Sequence, residues 1–307
     1  MMQVSFCCAD TDAQPWLEGL RAALPQASIS LWKSGDAPAD YGVVWAPPQA
    51  FFDEQPQLKA AVNIGAGVDA LLRLRVAPTT KLVRLDDAGM AAQMAEYVCH
   101  ALLRFYREFD AYEGQQAQVQ WHQREVPERA ECPVGIMGLG VLGEHVAKAV
   151  AALGFPVNGW SRSAKQIDGV RSFAGPQELS AFLAASKVLV SLMPLTADTR
   201  DLLNRKTLSQ LQPGAYLINV ARGAQLVEED LLALLDSGHM AGATLDVFRT
   251  EPLPADHAFW KHPKVRVTPH ISARTLRSVS IRQIAGKLMA VERGEPVAGL
   301  VDTAAGY

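Results

Sequence analysis

What this 307-residue sequence lacks narrows its function first. Charge of one sign is not in excess: 29 Lys and Arg stand against 32 Asp and Glu, a formal net of −3, so no electrostatic footprint for nucleic acid or an anionic membrane is present. Apolar residues make up 49% but are interrupted by charge throughout, and no run approaches the roughly 20 residues that span a bilayer. Cysteine is scarce. Cys7, Cys8, Cys99 and Cys132 form neither a CxxC pair nor a cluster with histidine, which predicts buried reduced thiols rather than disulfides or a metal centre. The N-terminus has no basic start and reaches Asp10 and Asp12 early, so no secretory signal and a cytoplasmic location are expected. HExxH and GxSxG are both missing, which argues against a metalloprotease-type site and a serine nucleophile. No metal is expected. Small molecules are the partners left.

What is present is an alternation of short Val-, Ile- and Leu-rich runs with amphipathic stretches, the pattern of parallel sheets covered by helices. The expected class is α/β. Strands are predicted near residues 3–9, 28–32, 42–46, 61–64 and 81–85. A second series is predicted near 134–137, 157–160, 188–193, 216–220, 243–247 and 265–268, six strands in all. Met90, Met94, Val98, Leu102 and Phe105 recur at helical spacing without Gly or Pro, predicting a long helix from Met90 to about Glu108. The polar stretch from Glu113 to Cys132 reads as a surface loop or arm. Ile284, Leu288 and Val291 share one helical face near the C-terminus, which predicts a helix returning the chain to the first domain. The domain reading is therefore 1–97 and 275–307 for a substrate domain and 98–274 for a dinucleotide-binding domain, both doubly wound, with the active site expected in the cleft between them.

The dinucleotide reading rests on Gly138-Leu139-Gly140-Val141-Leu142-Gly143, which places G-x-G-x-x-G after an apolar strand and before a helix-forming run. The first glycine permits a tight turn, the second close approach of pyrophosphate, and the third close packing of helix on strand. About 20 positions on, an NAD-dependent domain carries an acid for the ribose hydroxyl. Here that place reads Trp160-Ser161-Arg162-Ser163, with no carboxylate. A guanidinium matches a 2′-phosphate in fork geometry, and Lys165 adds charge. NADP(H) is thus the preferred cofactor, with NAD(H) usable.

Three further strand ends carry polar groups. Asn219-Val220-Ala221-Arg222-Gly223 ends on a rigid cation suited to a carboxylate. Asp246-Val247-Phe248-Arg249-Thr250-Glu251-Pro252 supplies two acids, and Thr268-Pro269-His270 presents an imidazole. In this order, with Leu192-Met193-Pro194-Leu195-Thr196 and the loop Asn63-Ile64-Gly65-Ala66-Gly67-Val68-Asp69, they resemble the D-2-hydroxyacid dehydrogenase family over residues 60 to 290. Trp45 in Val44-Trp45-Ala46-Pro47-Pro48, Arg84-Leu85, Gly89-Met90, Gln93-Met94, Glu96-Tyr97 and the missing acid of the cofactor loop resemble the family's glyoxylate/hydroxypyruvate reductase A group.

The resemblance implies NADPH-dependent reduction of small 2-oxo acids, glyoxylate and hydroxypyruvate, to glycolate and D-glycerate. Arg222, Glu251 and His270 are the implied catalytic residues. Cofactor contacts are implied for residues 138–143 and 160–163, for Leu192, Met193 and Pro194, for Val220 and Ala221, and for Asp246, which would hold the nicotinamide amide. Substrate contacts are implied for Trp45, Ile64, Gly65, Ala66, Gly67, Arg222 and His270. An imidazole beside a carboxylate keeps a proton to give near neutral pH, so His270 would be the donor and Glu251 its partner. A homodimer is also implied, with residues 115–131 as its contact. Two alternatives stand beside this reading. One is a different substrate, such as 3-phosphoglycerate or a bulkier 2-oxo acid, for which Arg73, Arg75 and Arg84 would supply cations. The other is a non-catalytic dinucleotide sensor of the same fold.

Overall fold

The computed structural model describes residues 1–303 and Gly306. The chain forms two compact units, one from residues 1–90 with the return segment from residue 274, the other from residues 91–273.

In the first unit, β1 (Met2–Cys8), β2 (Ala27–Leu31), β3 (Tyr41–Trp45), β4 (Ala60–Asn63) and β5 (Lys81–Arg84) pair in parallel in the order β2-β1-β3-β4-β5. This is the flavodoxin-like order. Central strand residues are buried on both faces, as Val43, Val44, Ala61 and Val62 are here, which is why these runs show continuous apolarity rather than alternation. The return helix Arg277–Glu292 joins this core through Ile281, Ile284 and Leu288. A methyl added at Gly19 would lie 2.4 Å from Ile281, so that glycine is what lets the helix Gln14–Ala23 approach it so closely.

The second unit holds β6 (Val134–Met137), β7 (Val157–Ser161), β8 (Val170–Ala174), β9 (Val188–Ser191), β10 (Ala215–Asn219), β11 (Met240–Leu245) and β12 (Val265–Val267), all parallel. Their order is β12-β11-β10-β9-β6-β7-β8, so the sense of winding reverses between β6 and β9. Crevices at such reversals, beyond the carboxyl ends of the strands, are where open α/β sheets bind ligands. Alternation of side chains divides the core. Val134, Ile136, Val188, Val190 and Ile218 face one layer, with Val98 and Leu102 of the helix Met90–Tyr106. Met137, Leu189 and Leu217 face the other, with Phe182 and Leu183.

Two sequence expectations are corrected. The sheet has seven strands rather than six: the exposed Arg171 and Ser172 of β8 break the apolar run at a sheet edge. The stretch expected as a loop from Glu113 begins as helix, since Phe109–Ala117 is helical with no buried residue. A helix with no buried stripe has no apolar period to read.

Candidate active site

The glycine turn follows β6 directly, and the helix Val141–Ala152 starts at its far side with Gly140 as N-cap. Gly138 has φ +102°, a conformation that L side chains rarely adopt, and its amide donates to the Trp160 carbonyl at 2.8 Å. A Cβ at Gly138 would meet Leu192 backbone atoms at 2.9 Å, and one at Gly143 would sit 1.7 Å from the Gly138 carbonyl oxygen. Gly140 differs. A Cβ there would find nothing within 4 Å. The turn is therefore packed against its own strands on two sides and open on the third, at the N-terminal end of a helix whose free amides and dipole suit phosphate oxygens. These features fit a dinucleotide pyrophosphate.

After β7 the loop is shaped by its own bonds. The Trp160 indole donates to the Gly175 carbonyl (2.8 Å), and Ser161 Oγ donates to the Ser163 carbonyl (2.7 Å). Arg162, Ser163 and Lys165 are exposed along it, and residues 157–165 contain no carboxylate. Beyond β9, Met193 and Pro194 are held by Gln225, which is fully buried. Its Nε2 donates to both carbonyls at 3.0 Å, and its Oε1 accepts from Ser191 Oγ at 3.1 Å. Thr199 Oγ1 donates to the Pro194 carbonyl at 2.6 Å. Val220 and Ala221 are buried just beyond β10. Sequence reading passed over Gln225. Its only signal was a polar side chain inside the apolar stretch that follows Arg222.

Arg222, half-buried beyond β10, donates from Nη1 to the Ala221 carbonyl at 2.7 Å. Gly223 next to it lies so close to the chain beyond β11 that a Cβ would come within 1.9 Å of the Phe248 carbonyl carbon. The Phe248 amide in turn donates to Glu251 Oε1 at 2.9 Å. Glu251 Oε2 lies 2.8 Å from His270 Nδ1. A carboxylate accepts and does not donate, so Nδ1 carries the hydrogen and Nε2 is the ring nitrogen presented outward. Side-chain exposures of 43% for His270 and 36% for Glu251 leave that nitrogen within reach of a ligand. Burial raises the pKa of Glu251, but the bonds from His270 and the Phe248 amide, together with the charges of His270 and Arg222, outweigh it and leave the group below its usual value.

Because folding lowers that pKa, the contribution of Glu251 to stability is complete above its unfolded value, near ~4.3. It is lost as pH falls through the lower folded value. Glu251→Gln is accordingly expected to melt below the wild type at pH 7, with the difference closing as pH is lowered past about 4. Melting curves across pH check this, and a gap that persists in acid would contradict it.

His270 itself has φ +54°, a left-handed conformation that costs a non-glycine residue roughly 1–3 kcal/mol when the surroundings impose it. Its amide is 2.9 Å from the Asp246 carbonyl. The Asp246 side chain is completely buried and accepts from the Ile271 and Ser272 amides, each at 2.8 Å, and from Thr268 Oγ1 at 2.6 Å. Bonds to a carboxylate are worth about 1.5–3 kcal/mol each, so three of them outweigh the backbone strain. The residue expected at the nicotinamide amide thus also clamps the turn that carries His270.

In the first unit the carboxyl ends of β3, β4 and β5 carry Trp45, the 64–67 loop and Arg84. Asn63, buried, donates from Nδ2 to the carbonyls of Gly65 (3.0 Å) and Gly67 (2.9 Å) and so shapes the loop. Ile64 is buried and its amide donates to the Val44 carbonyl. Ala66 and Gly67 are half-buried. Trp45 is 38% exposed, and its ring lies where a Gly65 side chain would be, 2.4 Å from an added Cβ. Arg75, one of the cations a phosphorylated substrate would need, pairs with Asp53 at 3.5 Å.

A glycine turn at the reversal point of a parallel sheet, with Arg222, Glu251 and His270 beyond neighbouring strands of that sheet, defines a dinucleotide-dependent oxidoreductase. Residues 99–272 match the family described as D-isomer specific 2-hydroxyacid dehydrogenase, NAD binding domain. Among curated relatives, a glyoxylate/hydroxypyruvate reductase A from Serratia proteamaculans (strain 568) is 47% identical over the whole of both chains. Among solved structures, a D-isomer specific 2-hydroxyacid dehydrogenase from Xanthobacter autotrophicus Py2, in complex with NADPH and MES, is 40% identical with a TM-score of 0.95. The match covers 100% of this chain and 99% of that one. An NADPH-dependent glyoxylate/hydroxypyruvate reductase from Sinorhizobium meliloti, in complex with NADP and sulfate, is 36% identical with a TM-score of 0.93 over the whole of both chains. The chain belongs to the D-isomer specific 2-hydroxyacid dehydrogenase family.

Proposed function

We propose that this chain reduces small 2-oxo acids, glyoxylate and hydroxypyruvate, to glycolate and D-glycerate, with NADP(H) preferred to NAD(H). The observation that carries the reading is the His270–Glu251 pair, held at the end of a sheet whose reversal point bears the open glycine turn. The glycine turn at residues 138–143 would hold NADPH, which when bound would supply a hydride for the substrate carbonyl carbon. The proton for the carbonyl oxygen comes from His270 Nε2, while Glu251 holds Nδ1 and with it the orientation of the ring. Arg222 polarises the carbonyl and anchors the carboxylate, a fixed charge placed where negative charge develops. The amides around Ala66 and Gly67 would add anion contacts, and Trp45, whose ring lies against Gly65 of the same loop, would contact the substrate.

Arg162 would pair with the 2′-phosphate of NADP(H). The test is oxidation of NADPH and of NADH against glyoxylate, hydroxypyruvate, pyruvate and phosphohydroxypyruvate, for wild type and Arg162→Asp. Glyoxylate and hydroxypyruvate with NADPH are expected to give the highest kcat/KM, and the variant to shift the NADPH-to-NADH ratio toward NADH by roughly a hundred-fold, as loss of a charged partner and gain of repulsion would. Inactivity with every substrate would sink the enzyme reading, and an unchanged cofactor ratio the role of Arg162.

A cytoplasmic location is in keeping with four unpaired cysteines. Among the described residues no helix is long and apolar enough to cross a membrane. Assembly as a homodimer through residues 115–131 is supported by the bare apolar side chains there, Val119 at 94% and Trp121 at 97% exposure, because large exposed apolar groups mark contact surfaces.

A further inference from the structure

Tyr97 lies on the helix Met90–Tyr106, and its hydroxyl is 2.5 Å from Thr268 Oγ1. Thr268 Oγ1 has one proton and gives it to Asp246 Oδ1 at 2.6 Å. The proton between Tyr97 and Thr268 must then come from the phenol. Burial, partly countered by the bond to Thr268 and reinforced by the charge of Asp246, pushes the phenol up to about 12, so it keeps that proton across the working range. The same Asp246 Oδ1 accepts the Ile271 amide, and Oδ2 accepts the Ser272 amide. A directed string thus runs from Tyr97 through Thr268 and Asp246 to the two residues after His270, whose left-handed backbone has to be imposed from outside.

We propose that Tyr97 and Thr268 are positioning residues for His270: the phenol fixes the direction of the threonine hydroxyl, which fixes the Asp246 carboxylate and through it the turn that aims the imidazole. Neither residue touches the reacting atoms in this account, which rests on His270 as the proton donor. Without the phenolic proton, Thr268 is free to turn its hydroxyl away, and the Asp246 carboxylate loses one of its three donors, the one that comes from a side chain. The turn then samples conformations in which Nε2 is misaimed, and misplacement of a reacting group by a fraction of an ångström lowers turnover without weakening the binding of remote groups.

The test uses the full-length enzyme with NADPH and glyoxylate. Tyr97→Phe keeps the ring and removes only the hydroxyl. It is expected to lower kcat about ten-fold, with KM and the NADPH Kd within about two-fold of wild type. Thr268→Val is expected to match it, Thr268→Ser to restore most of the loss, and the double variant Tyr97→Phe/Thr268→Val to lose no more than either single, because both break one string. The His270 imidazole resonance, assigned by its absence in His270→Gln, is expected to shift or broaden in Tyr97→Phe and Thr268→Val but not in Thr268→Ser. A purely structural role would lower the melting temperature and the fraction of enzyme that binds NADPH, with kcat per binding-competent molecule and the resonance unchanged; that result overturns the proposal. Additive losses in the double variant, or no rescue by serine, overturn it too. Failure of the underlying reading looks different: His270→Gln would then retain turnover, and the imidazole resonance in Tyr97→Phe still decides whether the string aims the ring.

Discussion

His270→Gln is expected to lower kcat for glyoxylate reduction about a thousand-fold, within the range attributed to a positioned general acid, and to leave the NADPH Kd within about two-fold. The asymmetry follows from the site. The imidazole reaches outward beyond β12 on a turn clamped by Asp246, whereas the pyrophosphate turn follows β6 and is built from different residues. Glutamine keeps a hydrogen-bond donor for Glu251, so the loss measures the missing acid rather than a lost hydrogen bond. Its backbone, however, fits the left-handed conformation no better than histidine's. His270→Asn is the control, since asparagine adopts that conformation more readily than most residues. Equal kcat for the two variants would assign the loss to chemistry. A parallel fall in kcat and NADPH affinity would count against His270 as the acid.

The second large effect is expected at Gly143. A methyl there would stand 1.7 Å from the Gly138 carbonyl oxygen, a backbone atom that cannot swing aside as a side-chain tip can, so either the turn or the helix Val141–Ala152 must move. Gly143→Ala is expected to weaken NADPH binding more than a hundred-fold, which is about 2.7 kcal/mol, and to lower the melting temperature as well. Gly140→Ala separates the two consequences. With nothing within 4 Å of its added Cβ and φ at −75°, it is expected to melt like the wild type in the absence of nucleotide, yet to bind NADPH more weakly because its methyl enters the open side of the turn. Isothermal titration and nucleotide-free melting curves measure both. Unchanged affinity in Gly140→Ala would mean that the open side is not the phosphate cradle.

Most of this architecture was legible because parallel strands buried on both faces leave continuous apolar runs. The predicted limits of β1 to β5 fall within one residue of the observed ones. The glycine turn and the strand-end Arg222, Glu251 and His270 were legible for the opposite reason, as polar or glycine interruptions at places where an apolar core would not have them. Legibility failed where neither signal exists. β8 and the helix Phe109–Ala117 lack an apolar stripe. Gln225, Thr268 and Tyr97 bond to groups remote in sequence, so no local spacing announces them, and Tyr97 entered only as one letter of a resemblance. Asp246 was read as a ligand for the nicotinamide amide. Its three donors within the turn belong to a network that only three-dimensional placement reveals.

The return of the chain to its first unit has a consequence for biosynthesis. Residues 91–273 form the second unit without any other segment, so everything that unit needs has been made once residue 273 has left the ribosome. The first unit has to wait for Ile281, Ile284 and Leu288, which complete the layer against its sheet. Domains tend to fold in the order in which they are synthesised. Here the order is inverted: residues 1–90 are made before the second unit but complete their core after it, and until residues 277–292 have been made, Trp16, Leu17 and Leu20 cover that face of the sheet without Ile281, Ile284 and Leu288 beside them.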